Sequence, residues 1–466
     1  MVQKHLLIIA LLLHICHGAR RENLLKETVT NIAEGITNNP VVSLTTHAYS
    51  NAFAAAVNAV TWMPNVIANA LGPMTLPQYI SDTNHGEKAD KFVVDFSAAR
   101  ANEDAKLGIV ELIFKYGFPV QEHEVETEDG YQLTMFRIPG TGPVVFLMHG
   151  LLGSADDFVV AGRESGLAYM LADAGYDVWM GNARGNKHSR KHFILQPSEA
   201  AFWDFSWHEI GVYDLPAMID YILNKTDETS LKYIGHSQGT TSFFVMASER
   251  PEYNEKIALM VALSPVAYMS NVQSPIVRLM SPGTFILHRL SKSLGLYEFL
   301  PDNNLIRTLK LLICGTGPVS EILCSNTLFL MSGYDFPQLN VTNLPVVLGH
   351  LPSGASMKQF AHYGQGILSN DFRKFDYGVR ENLARYGIEI PPRYDLKKIV
   401  APVSMFCSDS DWLAHPIDVV RLVNRLPNVV GFYKVPLKQF NHVDFILAKD
   451  VKELLYNKVL SELELF

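Results

Sequence analysis

The chain has 466 residues, of which 48% are hydrophobic and 18% charged, a globular composition with ample apolar material for a large core. Its 47 acidic residues outnumber 39 Lys and Arg, giving a formal net charge of −8; with no basic stripe to neutralise phosphates, a general nucleic-acid binder is excluded. No internal repeat of about 20–50 residues is present, which excludes solenoids and propellers.

In chain order, the first segment reads as an address. Lys4 precedes an apolar run over residues 6–13, and the small residues Gly18 and Ala19 follow as a cleavage point. Residues 1–19 therefore have the make-up of a secretory signal peptide and are too short to span a bilayer. No later segment supplies roughly twenty uninterrupted apolar residues, so no transmembrane segment is predicted in the mature chain. The sequons Asn224-Lys225-Thr226 and Asn340-Val341-Thr342 agree with that route and mark Asn224 and Asn340 for glycosylation. Loss of Cys16 with the signal leaves Cys314, Cys324 and Cys407, an odd number for an oxidising compartment. Cys314 and Cys324 are close in sequence and form the candidate pair, with Cys407 a buried strand thiol; three free cysteines are the alternative.

Residues 20–90 differ from the remainder of the chain, being rich in Ala and Asn with prolines at Pro40, Pro64, Pro73 and Pro77. Phe53, Val57, Val60, Ile67 and Leu71 recur at helical spacing across Pro64. This N-terminal extension reads either as an amphipathic segment lying on lipid or covering a site, or as a loosely packed surface segment.

From about residue 108 the pattern changes. Alternation over residues 120–138 around Asp129-Gly130 predicts an antiparallel hairpin. Strands over 144–148, 178–180, 231–234 and 257–263 then alternate with helices around 166–174, 215–223 and 240–248, which predicts a mostly parallel sheet covered by helices on both faces. The basic cluster over 184–192 contains His188 and His192, but no third ligand of matching spacing stands nearby, so a surface or packed loop is expected and no metal site. Residues 266–395 are apolar without strand–helix rhythm, punctuated by Pro275, Pro282, Pro301 and Pro318. They read as an inserted, mainly helical cap. Strands return over 403–406 and 429–435, followed by a closing helix over 449–463. The fold class is thus α/β, with a core formed by residues 91–265 and 396–466 and interrupted by a cap over 266–395.

The pentapeptide Gly235-His236-Ser237-Gln238-Gly239 falls between the strand over 231–234 and the helix over 240–248. In that setting it reads as a nucleophile elbow, in which a strained serine is presented at the sheet edge and the flanking glycines relieve crowding. A serine nucleophile needs a histidine to take its proton, and in a fold of this connectivity the histidine follows the last strand, which selects His442 over its rival His415. The carboxylate that orients the imidazole should follow the strand over 403–406, where Asp411 and Asp409 both stand. Asp444 reads as a local cap. An oxyanion hole needs two backbone N–H groups, one from Gln238 and one from Leu151 in the loop His149-Gly150-Leu151-Leu152-Gly153.

At these residues the chain resembles the acid lipase family, which includes the gastric and lysosomal acid lipases of animals. The resemblance runs from about Gly108 to the end. It is carried by Gly117-Phe118-Pro119, Glu126-Thr127-Glu128-Asp129-Gly130-Tyr131, His149-Gly150-Leu151-Leu152, and Gly181-Asn182-Ala183-Arg184-Gly185-Asn186. It continues through Phe202-Trp203-Asp204-Phe205-Ser206 with His208-Glu209, the Ser237 elbow, Asp411-Trp412-Leu413-Ala414, and Asn441-His442-Val443-Asp444-Phe445. The resemblance implies an α/β-hydrolase fold with a helical cap, Ser237 as nucleophile, Asp411 as acid, His442 as base, and Leu151 and Gln238 as oxyanion donors. It further implies no cofactor and a cap disulfide between Cys314 and Cys324. The chain departs from the family at His415, where an acidic residue is common, at Phe158 in place of tryptophan, and at Ser332 in place of cysteine.

The expected function is that of a secreted or lysosomal serine lipase acting on carboxylic esters of neutral lipids, triacylglycerols or sterol esters, with transient contact to a lipid surface. A short-chain carboxylesterase or thioesterase is the alternative, and a non-catalytic lipid carrier is the binding-protein reading.

Overall fold

The computed structural model describes residues 103–281, 284–300, 331–340 and 342–466. The signal-like segment 1–19, the extension 20–90, and both Cys314 and Cys324 lie outside the described residues. Among the described residues the strands are β1 (Gln121–Glu126), β2 (Tyr131–Ile138), β3 (Val144–Met148), β4 (Asp177–Met180), β5 (Lys191–His192), β6 (Leu231–His236), β7 (Ile257–Leu263), β8 (Glu298–Phe299), β9 (Ala355–Ser356), β10 (Val403–Cys407) and β11 (Val429–Lys434). Nine of them form one sheet in the order β1-β2-β4-β3-β6-β7-β10-β11, with β5 paired to β2. The pairs from β4 to β11 along that order are parallel, while β1–β2 and β2–β4 are antiparallel.

Composition decides which strands are central. Val144-Val145-Phe146-Leu147-Met148 is buried at every position, as is β10, because a strand covered on both faces reads as a continuous apolar run. Side-chain alternation then splits the core in two. Val144, Phe146 and Met148 of β3 join Met260 and Ala262 of β7 on one face, packed on the helices Leu215–Thr226 and Gln238–Glu249. Val145 and Leu147 join Leu259, Val261 and Leu263 on the other, packed on Ile109–Lys115, Leu167–Asp173 and Asn457–Leu463. By contrast, β1 carries Glu122, Glu124 and Glu126 at the sheet edge, where charge discourages pairing with another chain.

The order also locates a crevice. After β3 the chain crosses to β4 on one side, then returns to β6 on the other, so the loops following β3 and β6 leave adjacent strand ends in divergent directions. Ligands of open parallel sheets bind at such a switch point, outside the carboxyl ends of the strands. The register Met148↔Gly235 sets the loop at residue 149 beside the turn at residue 237.

Between β7 and β10 the described residues form the helices Pro275–Met280, Thr284–Leu294, Leu344–His350, Met357–Ser369 and Val379–Tyr386, with β8 and β9 as a two-stranded pair. Strand ends shift by a residue or two from the pattern read in the sequence, and two boundaries bear on the site and the closing helix. β6 continues to His236 and its helix begins at Gln238, so Ser237 alone separates strand from helix. The closing helix, expected from residue 449, begins with a wider π turn over Lys452–Tyr456 before Asn457–Leu463, and the short helix Asp444–Leu447 precedes it.

Candidate active site

Ser237 sits at φ 51° and ψ −115°, a left-handed conformation that costs a non-glycine residue on the order of 1–3 kcal/mol and persists only where its surroundings over-determine it. Its amide N–H donates to Leu263 O of the neighbouring strand at 3.1 Å, and the helix starts at the next residue. The two glycines are required by contact. A Cβ on Gly235 would stand 2.8 Å from the carbonyl carbon of Gly239, and one on Gly239 would stand 2.2 Å from Met148 O. No side chain fits at either position, so the spacing of the motif follows from how closely the elbow packs on β3.

Three side chains far apart in sequence meet at this elbow. His442 Nε2 lies 2.7 Å from Ser237 Oγ, and His442 Nδ1 lies 2.9 and 3.0 Å from the two Asp411 oxygens. Asp411 and His442 are 1% and 4% exposed, so their interaction is shielded from solvent. Burial pushes the Asp411 carboxyl up, but the His442 ring and hydrogen bonds from His442, Ser264 and the Ala414 amide outweigh it and hold the carboxyl below its ordinary value. The amide N–H groups of Leu413 and Ala414 donate to Asp411 Oδ1 at 2.9 and 2.8 Å, so the short turn after Asp411 holds its carboxylate. His442 is fixed as firmly. Asn441 Oδ1 accepts from Val443 and Asp444 N–H while Asp444 accepts from Asn441 N–H, a reciprocal cap that holds His442 between them.

The rivals lie elsewhere. Asp409 pairs with Lys434 at 3.1 Å on the exposed surface. His415 caps the helix Pro416–Val423, accepting from Ile417 N–H, and contacts Gln273 at 2.8 Å.

The loop after β3 carries the other half of the site. Gly150 approaches Ser237 so closely that a Cβ there would stand 3.2 Å from Ser237 Cβ and 3.6 Å from its Oγ. His149 Nε2 accepts from Ala183 N–H at 3.1 Å, which makes Nδ1 the protonated nitrogen and the donor to Gly150 O at 2.8 Å. With that carbonyl drawn to His149, the trans peptide aims the Leu151 N–H the opposite way. Gln238, the first residue of its helix, has a main-chain N–H with no partner within the helix. Its side chain donates to Gln359 Oε1 at 2.7 Å, linking the elbow to the helix Met357–Ser369. Among the described residues no group of three or more metal-ligating side chains is assembled. His188 meets Asp156 at 2.7 Å and His192 donates to Asp129 O at 2.9 Å, so both are engaged in packing the loop.

Several contributors carried no motif signal. Ser264 contacts both Asp411 and His442. His236 donates through Nε2 to His442 O at 3.0 Å, and burial, then the nearby His442 ring, pushes its pKa down to about 3. The asparagines of Gly181-Asn182-Ala183-Arg184-Gly185-Asn186 place the loop after β3, Asn182 accepting from Ala155 N–H at 2.9 Å and Asn186 reaching His149 Nε2 at 3.2 Å. Arg184, fully buried, pairs with Asp129 and Asp214 over the Tyr131 ring, which ties the hairpin to this loop. Of the sequons, Asn224 is exposed in the helix Leu215–Thr226, and Asn340 is half-buried with Oδ1 accepting from Asn343 N–H. Cys407 is a free, buried thiol that burial pushes up to about 12.

A serine on a one-residue turn between a parallel strand and a helix, facing a histidine and a carboxylate from loops after later strands, defines an α/β-hydrolase. The model of the α/β hydrolase fold matches residues 143–285, and that of a partial α/β-hydrolase lipase region matches residues 109–162. A solved structure from Sulfolobus solfataricus shares the fold with a TM-score of 0.50 at 13% identity, over 74% of this chain and 93% of the other. In sequence, the chain is 44% identical to Lipase 1 of Drosophila melanogaster over 78% of its length and 80% of that relative's. It is 40% identical to gastric triacylglycerol lipase of Rattus norvegicus and 39% identical to lysosomal acid lipase/cholesteryl ester hydrolase of Homo sapiens, over 77% of this chain and 92% and 91% of theirs. The chain belongs to the acid lipase family and is a carboxylic ester hydrolase.

Proposed function

We propose that the chain is a serine lipase, secreted or lysosomal, that hydrolyses carboxylic esters of neutral lipids in two acyl-transfer steps. As Ser237 Oγ bonds to the ester carbonyl carbon, His442 Nε2 takes its proton, and Asp411 stabilises the resulting imidazolium. The carbonyl oxygen gains negative charge and is met by the N–H groups of Leu151 and Gln238. His442 then gives the proton to the departing alkoxide, and the C–O bond to the alcohol breaks. Water adds to the acyl-enzyme by the same route, His442 taking its proton and returning it to Ser237 as the fatty acid leaves.

The observation that carries this reading is the 2.7 Å separation between His442 Nε2 and Ser237 Oγ, with Asp411 on the far side of the ring. The names of the relatives, which specify triacylglycerol and cholesteryl esters, support a neutral-lipid substrate. The organisation that goes with it is a core over residues 91–265 and 396–466 and a cap over 266–395, stapled between Cys314 and Cys324 and lined for acyl chains. Residues 1–19 would be removed on export, with glycans at Asn224 and Asn340, while residues 20–90 form an extension. Contact with lipid is transient, through the cap.

A fluorophosphonate probe tests the nucleophile: it labels the wild-type enzyme, and Ser237→Ala abolishes labelling and lowers kcat on the order of 10⁴–10⁶-fold. A nitrophenyl ester series that peaks at long acyl chains supports a lipase, and a peak at acetate or butyrate replaces it with the short-chain esterase reading. Absent labelling of the wild type leaves the carrier reading. Activity on emulsified ester no higher than on dispersed monomer removes the interfacial part.

A further inference from the structure

We propose that Ser264, the residue following β7, is a positioning residue for the Asp411–His442 pair, a role that rests on the serine-hydrolase reading of this site. Its side chain is completely buried, and its Oγ lies 2.5 Å from Asp411 Oδ2 and 2.6 Å from His442 Nδ1. Proton accounting fixes the direction of both bonds. A hydroxyl has one hydrogen and two lone pairs, and an ionised carboxylate only accepts. The Ser264 hydrogen therefore goes to Asp411. Since His442 Nε2 must accept from the Ser237 hydroxyl, Nδ1 carries the ring proton and donates to Ser264 Oγ, the nearest of its three acceptors.

Ser264 thus does two things. It anchors Oδ2 of a carboxylate whose Oδ1 is held by the Leu413 and Ala414 amides, so both oxygens of Asp411 are fixed. It also offers the imidazole a second acceptor, and donating to the carboxylate strengthens that acceptor as His442 becomes positively charged.

The backbone supports the assignment. Ser264 stands at φ 52°, a conformation in which glycine would be unstrained, so the hydroxyl-bearing residue is held there against local preference. Its N–H donates to Phe406 O at 2.9 Å, while Leu263 O accepts from Ser237 N–H at 3.1 Å. The end of β7 thereby couples the backbone of the nucleophile to the strand that carries the acid.

Ser264→Ala and Ser264→Gly, assayed on a soluble nitrophenyl ester, test the role. Both variants should lose kcat by about 10–100-fold, the loss of one charge-assisted hydrogen bond, with KM within about twofold of wild type. The low-field proton resonance of His442 Nδ1 should move upfield in both. The glycine variant separates hydroxyl from backbone: wild-type kcat in Ser264→Gly, or an unshifted low-field resonance, overturns the proposal. If the alanine variant does not fold, Ser264→Gly alone decides, since it carries no left-handed strain. Failure of the underlying reading looks different, because the wild type itself would then resist the fluorophosphonate probe.

Discussion

The two sides of the candidate site are built from the same residue type and differ in what that residue touches. On the acid–base side His442 has a carboxylate at Nδ1 and a hydroxyl at Nε2, and can hold a positive charge. On the oxyanion side His149 sits between a backbone N–H and a backbone carbonyl, and burial pushes its pKa down to about 4, so near neutrality it is an uncharged spacer that shapes a loop. A histidine next to a nucleophile is therefore a base or a bracket according to whether a carboxylate or a peptide group faces its second nitrogen.

The sharpest way to break that difference is to remove the charge on one side only. Asp411→Asn keeps the shape of the acid but can present an N–H to His442 Nδ1, favouring the wrong tautomer. We expect kcat to fall on the order of 10⁴-fold with little change in KM, measured on a soluble ester. A fall of less than tenfold would mean that His442 does not depend on Asp411.

The bracket is tested by His149→Ala, which frees Gly150 O from its side-chain donor and leaves the Ala183 N–H without its acceptor. We expect kcat to fall by about 10–100-fold, less than the loss of a whole oxyanion donor, and fluorophosphonate labelling to slow in proportion. Unchanged kcat with lowered thermal stability would make His149 a packing residue alone.

The smallest effect concerns pH. Burial first, then the charge of Asp335, pushes the Asp444 carboxyl up to about 8, against the opposing hydrogen bond from the Asn441 amide. A carboxyl raised in the fold contributes stability that is complete below its ordinary value and is lost as pH rises through about 8. Asp411 has the opposite sign: its lowered carboxyl stabilises the fold above its ordinary value and loses that contribution as pH falls. Asp444→Asn, neutral at every pH, should reduce the fall in Tm between about pH 5 and about pH 8 by roughly 2–4 °C. Scanning calorimetry showing parallel pH profiles for variant and wild type would assign the alkaline loss to other groups.

Much of this architecture was legible because the signals were local. β3 and β7 announced themselves as short apolar runs, since a strand covered on both faces leaves no position for a polar residue. The elbow was legible because close packing on Met148 leaves glycine as the only fit at residue 239. Asp409 and Asp411, two residues apart at the end of one strand, could not be separated by spacing. Their separation depends on which way the turn faces, and the amides of Leu413 and Ala414 direct Asp411 inward while Asp409 meets Lys434 outside. Ser264 had no signal at all, because a serine after a strand is ordinary and its partners lie 147 and 178 residues away in sequence.

Taken alone, the order of residues determined the class of fold, the strand–serine–helix elbow and the set of side chains available around it, because period, apolar run length and glycine spacing are properties of neighbours. The tertiary structure decided which histidine faces a carboxylate, which aspartate is buried, and which unremarked serine joins them. Those are contacts between the ends of β6, β7 and β10 and the loop after β11, and charge and proton position depend on such contacts rather than on any one segment.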